Sequence, residues 1–210
     1  MTTVIKQRRE PYQLLTGADA VMLLIDHQVG TMGWTSTIDH DLLRRNTLVL
    51  AKAATAINMP IVMTTSMEDE PQGPLFSELR SAAPEAFDNR IKRAGIVDAM
   101  DDQNFAKAVE ATGRKRLIMA GATTEVCITF PAIRAARAGY DVYVVTDASA
   151  ALSARAEEMS FRRMADEGVI LTSTLQLIAE LAKTWATEEG RTLNGILFTD
   201  IFAHIPQPKR

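Results

Sequence analysis

The chain has 210 residues, is 47% hydrophobic and 23% charged, and carries a net charge of −3. That length suits one α/β domain with a sizeable core. A slightly acidic balance with no long run of lysine and arginine argues against nucleic acid or a membrane as partner. One cysteine excludes an intramolecular disulfide and gives no reason for export, so a cytoplasmic location is expected.

Residues 1–17 read as an N-terminal arm, in which Lys6, Arg8 and Arg9 are followed at once by Glu10 and Pro11. A solvated arm is the expectation, since no apolar run reaches signal-peptide or membrane-spanning length. "AVMLLID" (20–26) reads as a buried strand ending in a carboxylate. Residues 40–58 have helical spacing at Leu43, Thr47, Leu50 and Ala54, with Asp41 near the start. Pro60 ends that helix and "IVMTTS" (61–66) is a second strand. Residues 67–88 form a proline- and glycine-rich loop with one short helix over 74–82, and 89–95 is a third strand. Residues 101–113 begin with acids and end on glycine, as a helix does. The second half repeats the rhythm, with strands at 116–122, 141–148 and 169–174 and helices at 125–139, 154–168 and 175–189.

Six strands separated by helices imply a parallel sheet covered on both faces, wound with right-handed crossovers in the order 3-2-1-4-5-6. The domain is expected to span 18–189. The tail, 190–210, with "ILF" and "IFAHIP", is too apolar for free coil and is expected to pack on its own or a neighbouring subunit.

Ligands of such sheets sit beyond the carboxyl ends of the strands, where strand order reverses. Asp26 ends the first strand, Arg93 the third, and Cys127 follows the fourth, so three reactive side chains converge on one edge. Cys127 also falls in the expected first turn of a helix capped by Thr123 or Thr124, where the helix terminus lowers a thiol's pKa and offers free N–H groups. A lone cysteine is more often a small buried hydrophobe than a nucleophile, and spacing alone favours that inert reading. There is no G-x-S-x-G elbow and no glycine-rich phosphate loop, so a serine triad is unsupported and no cofactor is implied.

"VMLLIDHQ" (21–28), "TTSMEDEPQGPLFSELR" (64–80), "IKRAGIVDAM" (91–100), "LIMAGATTEVCITFPAIRAARAGYDVYVVTDA" (117–148) and "HIP" (204–206) resemble the isochorismatase-like cysteine hydrolases, and among them the YcaC-type branch. The resemblance runs from about 18 to about 206 and is most specific over Gly121 to Cys127. It implies Asp26 as general base and then acid, Cys127 as nucleophile and Arg93 as the third catalytic residue, where the wider family has lysine. It also implies a cis peptide at Ala122–Thr123 and an oxyanion hole from the amides of Thr123 and Cys127. The activity implied is hydrolysis of a small-molecule amide-type C–N bond through a thioester, in a homo-oligomer with sites near subunit contacts.

Departures from the family pattern sharpen the reading. The metal-holding histidines of the nicotinamidases have no counterpart in 67–88, and His27, His40 and His204 are scattered, so no metal is expected. Strand alternation allows only one of Lys92 and Arg93 to face the crevice, and turns His27 away from Asp26 as a structural residue. Trp34 either lines a pocket or packs under its loop. Substrate choice is assigned to loops 29–40 and 67–88. Two other readings stand beside hydrolysis: a redox-sensing thiol protein and an inactive oligomeric scaffold.

Overall fold

The computed structural model describes residues 13–205. Six parallel strands form one sheet: β1 (Ala20–Ile25), β2 (Ile61–Ser66), β3 (Ile91–Arg93), β4 (Arg116–Gly121), β5 (Asp141–Val145) and β6 (Ile170–Thr172). Their spatial order is β3-β2-β1-β4-β5-β6, the order expected from the sequence. Among the described residues the α-helices are α1 (Val29–Gly33), α2 (His40–Ala56), α3 (Glu78–Ala82), α4 (Pro84–Asp88), α5 (Gln103–Ala111), α6 (Thr129–Arg137), α7 (Ala154–Asp166), α8 (Thr174–Ala182) and α9 (Glu188–Asp200).

The central strands are continuous apolar runs because both faces are covered. Alternate residues of β1 feed two separate cores. Ala20, Met22 and Leu24 pack with Leu43 and Leu50 of α2, Leu177 of α8 and Leu193 and Leu197 of α9. Val21, Leu23 and Ile25 pack with Phe105 of α5, Ala132 of α6 and Met164 of α7. Fully burying one such Leu or Ile contributes roughly 1.5–3 kcal/mol, and β1 and β4 each supply side chains to both cores. Side-chain caps start the longer helices: Asp39 accepts from Leu42 N–H at 2.9 Å, and Asp102 from the N–H groups of Asn104 and Phe105.

Several expected bounds are corrected. The helix expected over 175–189 is two helices, because Lys183 adopts φ +56 and ends α8, and Thr187 caps α9 by accepting from Gly190 N–H at 3.0 Å. Gly190 is required there, since a Cβ would collide with the Thr184 carbonyl oxygen. The short helix of 74–82 begins only at Glu78, and α4 follows it from Pro84. The strand expected over 141–148 ends at Val145, where a 3-10 turn over Thr146–Ala148 begins. No helix among the described residues is long and apolar enough to cross a membrane. The basic cluster at Lys6, Arg8 and Arg9 and the last residues, 206–210, lie outside the described residues.

Candidate active site

β1, β2, β3 and β4 bring the site together through their register. Ile25 stands opposite Thr64 of β2 and Gly121 of β4, and Ser66 of β2 stands opposite Arg93 of β3. The residue after each of the central strands therefore meets its neighbours at one edge. Gly121 allows this closeness, since a Cβ there would collide with the Ile25 carbonyl oxygen. Asp26 leaves β1 with φ +56, a left-handed conformation that aspartate tolerates better than most residues. Its backbone N–H still donates to Thr64 O at 3.0 Å, so the turn is anchored to β2.

Asp26, Arg93 and Cys127 meet at this edge. Each nitrogen of the Arg93 guanidinium makes a hydrogen bond: Nη2 donates to Asp26 Oδ2, Nη1 to the Ile96 carbonyl, and Nε to Thr64 Oγ1 at 3.0 Å. Asp26 and Arg93 are buried, being 1% and 2% exposed. The second Asp26 oxygen, Oδ1, has no partner in regular hydrogen-bond geometry. The Cys127 thiol is the group that interacts with this carboxyl.

Cys127 does not occupy the first turn of an ordinary helix. Thr124–Ile128 is one π-helical turn, which passes into α6 at Thr129, and neither Thr123 nor Thr124 caps it with a side-chain hydrogen bond. The Ala122–Thr123 peptide bond is cis. Among the described residues the Thr123 N–H has no partner, whereas the Cys127 N–H donates to Thr123 O at 2.9 Å. The loop after β5 holds this turn in place. Thr124 N–H donates to Ala150 O at 2.8 Å, Gly121 N–H to Ser149 Oγ at 3.2 Å, and Leu152 N–H to Glu125 Oε1 at 3.0 Å.

The electrostatics reverse one expectation. Burial pushes the Asp26 pKa above the ordinary carboxylate value, and the Arg93 charge and hydrogen bond only partly oppose it. Burial, and then the Asp26 charge, push the Cys127 thiol up rather than down. The lowered thiol pKa expected from a helix terminus is thus overturned, because desolvation and a facing carboxylate outweigh a partial dipole. The thiol therefore keeps its proton at rest, beside an Asp26 carboxyl that Arg93 holds by a hydrogen bond.

The neighbouring residues sort cleanly. Lys92 is exposed and pairs with Glu68 on the rim, on the other side of β3 from Arg93. His27 is fully buried, packs edge-on against Phe76 and bonds through Nε2 to Ala148 O at 3.0 Å, with its pKa lowered to about 4 by burial. It is structural, as read from the sequence, but the reason differs: Asp26 has already left the strand, so alternation does not apply. Trp34 ends α1 with half its surface exposed. Sequence reasoning missed Thr64, which orients the guanidinium, and Gln28, whose amide accepts from Ser66 N–H at 2.8 Å and donates to Ser66 O at 2.9 Å. Thr64 lies in the polar end of β2 and Gln28 two residues beyond Asp26, and nothing in the sequence set either apart from its polar neighbours. A surface hollow of about 480 Å³ lined by Asn58, Pro60, Ile61 and Pro84 lies at the amino end of β2, remote from the thiol.

The profile of the Isochorismatase domain matches residues 20–176, which include every residue of this site. The chain belongs to the isochorismatase family. Within this family it is 39% identical over 198 residues to the Escherichia coli (strain K12) protein named "Probable hydrolase YcaC", covering 94% of this chain and 91% of that one. The crystal structure of E. coli YcaC, an octameric hydrolase of unknown specificity, matches with a TM-score of 0.87 at 38% identity, covering 92% of this chain and 94% of that one. YcaC from Pseudomonas aeruginosa, with hexane-2,5-diol and covalent acrylamide, matches with a TM-score of 0.86 at 38% identity, covering 91% and 94%. The chain is accordingly an isochorismatase-like hydrolase with a YcaC-like fold.

Proposed function

We propose that the chain hydrolyses an amide-type C–N bond of a small molecule through a thioester on Cys127. The observation that carries this reading is the sole thiol facing a buried carboxyl that an equally buried arginine clamps. A protonated thiol beside a carboxylate of raised basicity is suited to proton transfer during attack rather than before it. As sulfur bonds to the carbonyl carbon, the thiol proton moves to Asp26 and the carbonyl π pair becomes the oxyanion. The Thr123 N–H is the ready donor for that oxyanion, and the Cys127 N–H joins it by sharing its bond to Thr123 O. Collapse breaks the C–N bond, and the proton on Asp26 passes to the leaving amine. Water then attacks the thioester and gives one proton to Asp26, which returns it to the sulfur as the acid departs. Arg93 holds Asp26 in place and offsets its charge throughout.

Acrylamide is an electrophile toward thiols and is covalently bound in the P. aeruginosa relative. In this chain Cys127 is the one thiol on which such an adduct can form. A redox-sensing role is disfavoured, because it calls for a thiolate of low pKa and Cys127 is shifted the other way. Intact mass spectrometry after incubation with a panel of amides, ureido acids and imides tests the reading. An acyl adduct on Cys127, absent in Cys127→Ser, is the expected result; turnover by Cys127→Ser contradicts it. Following the octameric E. coli relative, we also propose a homo-oligomer, which light scattering on the full chain checks.

A further inference from the structure

The loops that leave the carboxyl ends of β1 to β5 are residues 26–39, 67–77, 94–102, 122–128 and 146–153, and none of them contains a lysine or an arginine. Each contains carboxylates, including Glu68, Asp69 and Glu70 in the second loop and Glu125 two residues before the thiol. Four basic groups near this edge are directed elsewhere. Each guanidinium nitrogen of Arg93 bonds to Asp26, Ile96 O or Thr64. Arg90 and Lys92 both pair with Glu68. Arg155 is exposed on α7 two residues before Glu157, whose side chain reaches inward to Thr37 at 2.7 Å. Two residues are about 200° of helical turn, so Arg155 projects to the opposite side.

The same edge is rimmed by exposed apolar side chains. Val29 and Trp34 follow Asp26 in α1, and Met67 follows β2 with its N–H on Arg93 O at 2.9 Å. Ile96 gives its carbonyl to Arg93, Val97 follows it, and Leu152 hangs from Glu125. Among the described residues, a carboxylate arriving here meets no lysine or arginine from these five loops and faces Asp26, whose buried Oδ1 has no regular partner. An ammonium group arriving here is stripped of water against an apolar rim.

We infer that the site selects an uncharged amide with an apolar acyl or amine group and discriminates against substrates that carry a carboxylate. This rests on the hydrolytic reading but is tested separately from it. Iodoacetamide and iodoacetate have the same leaving group and nearly the same size, and differ in charge. On the native full chain, the ratio of their rates at Cys127 is expected to favour iodoacetamide about tenfold more than on the urea-unfolded chain, equivalent to about 1.4 kcal/mol. The excess is expected to shrink in about 1 M salt, where the Debye length falls to about 3 Å. Glu70→Lys is expected to raise the iodoacetate rate several-fold and leave the iodoacetamide rate unchanged. Equal ratios in native and unfolded chains, a preference for iodoacetate, or no native labelling by either reagent overturns the inference. Where turnover is detectable, pentanamide is expected to exceed both succinamate and 4-aminobutanamide in kcat/KM. Faster turnover of either charged amide overturns the inference while leaving the thioester mechanism intact, and no adduct from any amide with the alkylation ratio as expected sinks only the mechanism.

Discussion

Two ion pairs sit back to back on β3 and behave in opposite ways. Arg93 pairs with Asp26 where neither side chain is more than 1% exposed, while Lys92, with 59% of its side chain exposed, pairs with Glu68. Glu68 is also held bidentately by Arg90 at 2.9 Å. Partial burial raises the Glu68 pKa, but the hydrogen bonds from Arg90, Lys92 and Thr65 win and hold it at about 2. At Asp26 burial wins over the single arginine and the pKa goes up. The same pair of charges is thus a stabilising clamp at the rim and a carboxyl of raised pKa inside.

The contrast breaks most visibly at Arg93. Arg93→Ala leaves Asp26 buried without its partner, and a loss of about 3–5 kcal/mol in urea unfolding is expected together with the loss of turnover. Arg93→Lys is expected to restore folding better than activity, since one ammonium cannot serve Asp26, Thr64 and Ile96 O in the planar geometry they now share.

His27 sharpens the comparison as a buried titratable group with no charge partner. Its folded pKa of about 4 lies below the ordinary 6.5, so the unfolded chain takes the proton more readily. The stability contribution is complete above pH 6.5 and is lost as pH falls from there through about 4. The expected loss is about 3 kcal/mol, read as a fall in urea midpoint that His27→Gln flattens. An equal slope in that variant would assign the acid sensitivity elsewhere.

Much of this was legible in the sequence, and the parts that were not share a cause. β1 and β4 are unbroken apolar runs, so their place at the centre of the sheet and the convergence of Asp26 and Cys127 followed from the pattern. The opposite facings of Lys92 and Arg93 followed from strand alternation. The π-helical turn at Thr124–Ile128 was not legible, because the same residues spell an ordinary helix until the loop at Ala150 and Leu152 holds the turn. The break at Lys183 was hidden for a similar reason: a long polar residue gives no sign of a left-handed conformation. The direction of the thiol shift depends on how much water surrounds Cys127 and on the facing carboxylate, and neither is local in sequence.

The rim pair gives the smaller effects. Glu68 has its folded pKa below the ordinary 4.5, so its contribution is full above pH 4.5 and is lost as pH falls through about 2. With solvent screening at the half-exposed lysine, Glu68→Gln is expected to lower stability at neutral pH by about 1–2 kcal/mol and to lessen the acid slope in that window. Lys92→Ala is expected to cost less than about 1 kcal/mol and to leave kcat/KM within about twofold, since Arg90 remains on Glu68. A dead Lys92→Ala variant would exchange the roles assigned to the two cations.

Asp26→Asn tests the link between the carboxyl and the thiol most directly. The Cys127 pKa, taken from the pH dependence of its alkylation by iodoacetamide, is expected to fall in this variant, because a negative charge facing the thiol has gone and Arg93 stays. Turnover is expected to vanish at the same time, because no base remains to carry the proton. A thiol pKa that rises, or hydrolysis that survives, would contradict Asp26 as the base that serves Cys127.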